Sequence, residues 1–270
     1  MVMIDQIPWH EMDVDGELQL QCEDPFCRRL ETELRRTLYR WNHMPADFVV
    51  EPFVEVAKVV TNTGFGVSAN EEVATLDPLN DVVGHAYHDQ LPNESDLDKI
   101  RTPQVELDAK ATGEVESKAH EVFDGVLEVR MQGAFPWVSF WDLISMWRSP
   151  EALLWDVVDR PEFSHELMRR VTAAAMGMLD QMEAKGLLGS HTSWIHCTGA
   201  FTDELPAHGF DSTKPRAKDI WTFGMAQIFS SVSPEMHDEF EIQHSIPWFE
   251  RFGLVYYGCC EPLDDRIHVV

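Results

Sequence analysis

Basic residues are scarce: 21 lysines and arginines stand against 47 aspartates and glutamates, a formal net charge of −26 over 270 residues. A polyanion would meet long-range repulsion, so nucleic-acid binding is excluded as the working expectation. Long apolar runs are also missing. No stretch approaches the roughly 18–20 uninterrupted apolar residues of a membrane helix, and Met1-Val2-Met3-Ile4-Asp5 lacks the basic start of a signal peptide. The chain reads as a cytoplasmic protein without membrane contact. Its five cysteines (Cys22, Cys27, Cys197, Cys259 and Cys260) are odd in number and partly vicinal. They make no disulfide framework and suit reduced thiols in a reducing compartment. A Gly-x-Gly-x-x-Gly turn after a strand is absent, which speaks against a dinucleotide-binding sheet.

What is present is a run of apolar segments of two periods. Asp24-Pro25 opens a helix with an N-cap and a proline at the first helical position, and Phe26, Leu30, Leu34, Leu38 and Trp41 follow at near-helical spacing. A long helix after Pro161 carries Leu167, Met168, Val171, Ala175, Met178, Leu179 and Met182 on one face, with Gly186 as its stop. Ser233-Pro234-Glu235 starts another that runs to about Phe252, with a kink expected at Pro247. Weaker helical signals lie near 95–100 and 108–122. Strands are expected near 2–7, 48–59, 126–131, 193–197, 221–228 and 254–259. Short strands alternating with amphipathic helices imply βα units, a parallel sheet and a single domain spanning 1–270. Periodicity alone leaves a barrel and an open doubly wound sheet both standing.

Three segments in order carry a resemblance. Ser149-Pro150-Glu151-Ala152-Leu153-Leu154 with Asp159-Arg160-Pro161-Glu162-Phe163, then Ser233-Pro234-Glu235-Met236 with Phe240 and Pro247, then Gly253-Leu254-Val255-Tyr256-Tyr257-Gly258-Cys259-Cys260, together resemble the uroporphyrinogen decarboxylase superfamily. They look like its "PE-x-LL…D-x-PEF" helix pair, its "SPEMF-x-EF…P" helix and its "G-x-x-x-x-H-x-C-G" strand. The resemblance implies an α/β fold of the (β/α)8 TIM-barrel type, with its site at the C-terminal mouth of the strands. Family members are longer, so the barrel is expected to be incomplete at the C-terminus, as in a truncated member.

Within that superfamily the resemblance favours the corrinoid-linked methyltransferases. Their zinc is held by a His-x-Cys pair and a later cysteine, and they move a methyl group between a small substrate and a corrinoid protein. Cys259 and Cys260 are the metal candidates here, although Tyr257 or Gly258 stands where the family has its histidine. Strand alternation allows only one of the two thiols to face the mouth unless Pro262 ends the strand early; the register favours Cys260. Glu261, His196 and Glu204 are the candidate catalytic groups, with Asp203 beside them. Trp9, His10 and Trp137 are candidates for contacting substrate, Trp137 within an aromatic cluster of Phe135, Phe140 and Trp141 that equally suits core packing. The decarboxylase branch carries an Arg-Gln-Ala-Gly-Arg segment near its first strand. Glu11-Met12-Asp13-Val14-Asp15 here would repel a polycarboxylate, so a carboxy-lyase is the alternative, and an inactive remnant a further one. His85-x-x-His88 has metal-like spacing if helical but lacks a third ligand, and Cys22 and Cys27 read as structural or incidental.

Overall fold

A computed structural model describes residues 2–4, 7–12, 15–76, 83–190, 193–196 and 198–270. The chain is mixed α/β, and among the described residues its strands form five two-stranded sheets and no closed barrel. The (β/α)8 expectation is therefore corrected. The physical reason lies in the strands themselves: none exceeds five residues, and three of the five pairs are antiparallel ribbons.

After a helical turn α1 (Trp9–Met12), helix α2 (Pro25–His43) begins where Asp24 accepts the amides of Phe26 and Cys27. Residues 2–4 and 7–8 are not strand, and residues 5 and 6 of the expected first strand lie outside the described residues. The expected strand at 48–59 starts only after Pro52, as β1 (Phe53–Ala57), and a second piece, β2 (Val60–Asn62), breaks away from it. β3 (Glu71–Ala74) and β4 (Gly84–Tyr87) form an exposed antiparallel ribbon, and β2 pairs antiparallel with β5 (Val105–Leu107). These two ribbons lie between the expected strands at 48–59 and 126–131, where the sequence carries only weak helical signals.

α3 (Ala109–Phe123), capped by Asp108, packs over β1 and β6 (Glu128–Gln132), which pair in parallel. Just beyond β6 the chain makes isolated bridges to later segments, Ala134 to Leu188 and Val138 to Gly224. Gly133 permits the first, because a Cβ there would lie 2.2 Å from the Leu188 carbonyl oxygen.

Helices α4 (Phe140–Arg148), α5 (Pro150–Asp159) and α6 (Pro161–Ala184) follow, with Gly186 at φ +64 just past the end of α6. The segment expected as a parallel strand at 193–197 is instead one arm of a hairpin. β7 (Ser193–His196) pairs antiparallel with β8 (Thr198–Phe201), and Cys197 lies outside the described residues. Apolar residues continue past His196, and no helix-starting cap precedes Thr202, so the chain extends again instead of turning into a helix. β9 (Trp221–Gly224) and β10 (Leu254–Tyr257) pair in parallel. Their crossover is α7 (Pro234–His237), a π turn at Asp238–Ile242, and α8 (Gln243–Phe249) containing Pro247.

The main core gathers Phe140, Trp141, Trp147, Phe229 and Trp248 with the inner face of α6. A small separate cluster holds Phe26, Val56 and Ala119. Among the described residues no helix is long and apolar enough to cross a membrane.

Candidate functional site

β9 and β10 end side by side, with the Gly258 amide donating to the Gly224 carbonyl at 2.9 Å. Gly258 then takes φ +101, a left-handed conformation that a side chain would resist, and a Cβ there would also meet Leu263 at 2.5 Å. This turn ends the strand before the thiols. Strand alternation no longer applies to Cys259 and Cys260, whose sulfurs lie 3.5 Å apart.

Glu261 holds the two strand ends together. One carboxylate oxygen accepts the Cys259 amide at 2.9 Å and the other accepts the Ala226 amide at 3.0 Å. Glu261 is buried, and both its oxygens are committed to backbone. It positions Cys259; it does not face a substrate.

His196, at the end of β7, brings its Nε2 to 2.9 Å from the Cys259 sulfur. Its ring lies 4.6 Å from the Phe223 ring, and its carbonyl accepts the Tyr256 hydroxyl at 3.0 Å. Trp137, half exposed, sits 5.8 Å from the other side of Phe223. The structure thus brings together His196, Cys259, Cys260 and Glu261, with Trp137 one ring away. Cys259, not Cys260, meets the imidazole; Cys260 is exposed.

The remaining candidates lie elsewhere. Trp9 packs on α2, 6.1 Å from Tyr39 and beneath Arg36, and the exposed His10 contacts Glu11. Asp203 and Glu204 are exposed, and the Glu204 amide is taken by the Thr202 hydroxyl, a local turn. His85 stands on β4 and His88 just past its end, and a three-residue spacing along extended chain puts them on opposite faces; each pairs with its own glutamate, Glu71 or Glu72. Cys22 and Cys27 flank the α2 cap. Phe140 and Trp141 are core residues.

Beneath the strand ends lies a buried polar group. Asp142, in the first turn of α4, accepts the Ser139 hydroxyl and the amides of Gln227 and Ile228, capping the short 3₁₀ segment that follows β9. Burial raises its carboxyl above the ordinary aspartate value despite these bonds. Glu241 is fully buried, accepts the Ser245 hydroxyl at 2.7 Å, and is pushed up to about 8 by desolvation, so it is protonated at neutral pH. Tyr257 shares a proton with His237 Nε2 at 2.7 Å. Burial, reinforced by the nearby carboxylates, raises its phenol and keeps it neutral. His237 is depressed by burial and then by the Arg266 guanidinium. Arg266 itself is buried and donates to the carbonyls of Phe229 and Val232, tying the last residues to the crossover. Of these groups Asp142 had a readable signal, a Ser139-x-x-Asp142 capping pair before an apolar run. His237 and Glu241 had only their four-residue spacing on an apolar helix.

Zinc asks for three or four donors, with nitrogen and sulfur about 3.5 Å apart when both bind one ion. Here His196 and Cys259 are closer than that, Glu261 is spent on backbone amides, and among the described residues no group of three or more His, Cys, Asp and Glu is arranged to hold a metal. The residues as placed do not fit the metal centre that the resemblance implies. No family model, curated protein or solved structure matches the chain, so the likeness to the uroporphyrinogen decarboxylase superfamily rests on the quoted segments.

Proposed function

We propose that the chain is a methyl-transfer enzyme of the uroporphyrinogen decarboxylase superfamily, and that its working pair is the Cys259 thiol with the His196 imidazole. One observation carries this reading. Nε2 of His196 and Sγ of Cys259 lie 2.9 Å apart, joining segments 63 residues apart in the chain. An imidazole at that distance can take the thiol's proton, and the thiolate is the nucleophilic form of cysteine. In the proposed step the thiolate attacks a methyl group on a small substrate. A sulfur–carbon bond forms, the bond from methyl to its donor atom breaks, the electron pair leaves with that atom, and the imidazolium returns the proton to it. Glu261 fixes the Cys259 backbone throughout, and the Trp137–Phe223 rings offer an apolar wall for the methyl donor. A corrinoid protein in the cytoplasm is the proposed methyl acceptor: its reduced cobalt would take the methyl from Cys259, a cobalt–carbon bond forming as the sulfur–carbon bond breaks and the electron pair returning to Cys259 as thiolate. No step is routed through zinc.

The pair is tested by alkylating the native protein with iodoacetamide and following each cysteine by mass spectrometry. Cys259 is expected to react about tenfold faster in the native protein than in His196→Ala, and faster than Cys260. Methyl transfer from methoxy-aromatic and methylamine donors to reduced free cobalamin should vanish in Cys259→Ser and persist in Cys260→Ser. Equal alkylation with and without His196 would remove the pair. A reactive Cys259 without methyl transfer would keep the pair and remove the reaction.

A further inference from the structure

Away from this site, α6, the π turn and α8 bring two histidines and a glutamate together. His165 Nδ1 lies 3.0 Å from His244 Nε2, and His165 Nε2 lies 3.2 Å from the Glu239 carboxylate. The His165 ring also stacks on Phe240, 4.6 Å away and 17° from parallel. We propose that His165 and His244 form a binding site for a divalent transition-metal ion, with Glu239 as the residue that orients His165.

The argument starts from tautomers. A carboxylate can only accept, so Glu239 calls for the proton on Nε2 of His165 and leaves a lone pair on Nδ1. That lone pair faces Nε2 of His244, so one proton sits between the two rings. Moving it to Nδ1 of His244 leaves two lone pairs facing one point, with no net proton lost. Two imidazole nitrogens on one ion lie about 2.9 Å apart in a square-planar arrangement and about 3.4 Å apart in a tetrahedral one. The observed 3.0 Å falls within that interval, and the ring centroids, 5.3 Å apart, show the two nitrogens aimed at each other, so an ion enters when the His244 ring tilts while Glu239 and Phe240 hold His165.

Phe240 and Glu239 fix the His165 ring in plane and in tautomer, the arrangement that supporting residues give to metal-bound histidines. The π turn at Asp238–Ile242 puts Glu239 and Phe240 against His165 on one side of α6, and such turns often accompany functional sites. A chain of net charge −26 favours cations generally. Among the described residues no third donor of this kind joins the pair, so water completes the shell. Imidazole pairs select borderline ions such as Ni²⁺ and Cu²⁺ over Mg²⁺ and Ca²⁺, which prefer oxygen. Bound there, the ion would clip α6 to α8.

The test uses the full chain and Ni²⁺, with Mg²⁺ as the hard-ion control, by equilibrium dialysis at neutral pH. One equivalent of Ni²⁺ is expected to be lost in His165→Ala and in His244→Ala and retained in Cys259→Ser. Glu239→Gln should weaken binding about 10–100-fold. Selective broadening of the His165 and His244 imidazole proton signals by Ni²⁺ in the unaltered protein gives a readout that no misfolded variant can confuse. The proposal is overturned if those two signals are no more broadened than those of other histidines, or if a folded double variant keeps the equivalent.

Discussion

Helices α2 and α6 carry similar apolar stripes and meet opposite fates. α6 buries Phe163, Leu167, Met168, Val171, Ala175 and Leu179 in the main core, and α5, α8 and the 3₁₀ segment at 94–99 pack around it. α2 buries only Phe26 and leaves Leu34, Leu38 and Trp41 exposed. A stripe at helical spacing shows that a face is apolar; only the rest of the fold decides whether it is covered. The C-terminal half has enough such faces to close a core around Trp248. The N-terminal half, divided among ribbons β2–β5 and β3–β4, does not.

The largest expected effect breaks the two cores separately. Trp248 is fully buried, lies 5.1 Å from Phe252, and donates its indole proton to Thr222. Trp248→Ala should cost about 3–5 kcal/mol through lost contacts and a cavity. Phe26→Ala, in the small cluster and covered partly by the Arg29 and Lys118 side chains, should cost less than about 3 kcal/mol. Urea denaturation compares them, and equal losses would show that the two clusters are one energetic unit.

A smaller effect separates the two halves by where they keep their charge. In the N-terminal half carboxylates stay in solvent beside cations: the hydrogen bond from Lys118 chiefly holds Asp24 down to about 2. In the C-terminal half Glu241 is raised to about 8 by burial. Its free value is 4.5, so both states are protonated below that pH. As pH climbs from 4.5 towards 8 the unfolded chain releases the proton first, and the stability tied to the protonated form is lost. Glu241→Gln keeps a partner for Ser245 and cannot ionise. The variant's stability relative to the parent should rise across that window and level off near pH 8, by about 2 kcal/mol or more. Parallel stability curves from pH 5 to 8 would mean that Glu241 is solvated in the folded protein.

Local signals were legible wherever they are made by neighbours in sequence. Asp24-Pro25 and Ser233-Pro234 start helices as their chemistry requires, and Gly186 ends one. Strands β1, β9 and β10 fall inside the expected segments, β6 runs one residue past its own, and the four pair in parallel, β1 with β6 and β9 with β10. Pairings between distant segments were not legible. Nothing in Ser193–Phe201 distinguishes a parallel strand from a hairpin arm, because a partner five residues away and one sixty residues away ask for the same alternation. His85 and His88 looked metal-like only under a helical spacing, and Gly84-His85-Ala86-Tyr87 pairs as a strand. At the candidate site the end residues His196 and Cys259 were readable as strand-end groups. Their contact, and the use of Glu261 as a backbone staple where a catalytic carboxylate was expected, depend on where Gly258 turns the chain. Asp142, Glu241 and His237 escaped because burial, which alters their chemistry, is a property of the closed core.

The smallest expected effect bears on α2 itself. Leu38 and Trp41 are 60% and 66% exposed. Shortening a side chain that solvent already surrounds removes little buried area and opens no cavity, so Leu38→Ala should change stability by no more than about 0.5 kcal/mol. The backbone should report the same contrast. A helix whose one buried side chain, Phe26, lies at its Asp24-capped start has fewer buried contacts to break before it opens than one embedded along its length. Amides in the second half of α2 should therefore exchange with deuterium well before those in the middle of α6. A loss of about 2 kcal/mol or more in Leu38→Ala, or protection of α2 matching that of α6, would mean that this face is covered in solution. The difference between the two helices would then lie in what binds them, not in how the chain folds.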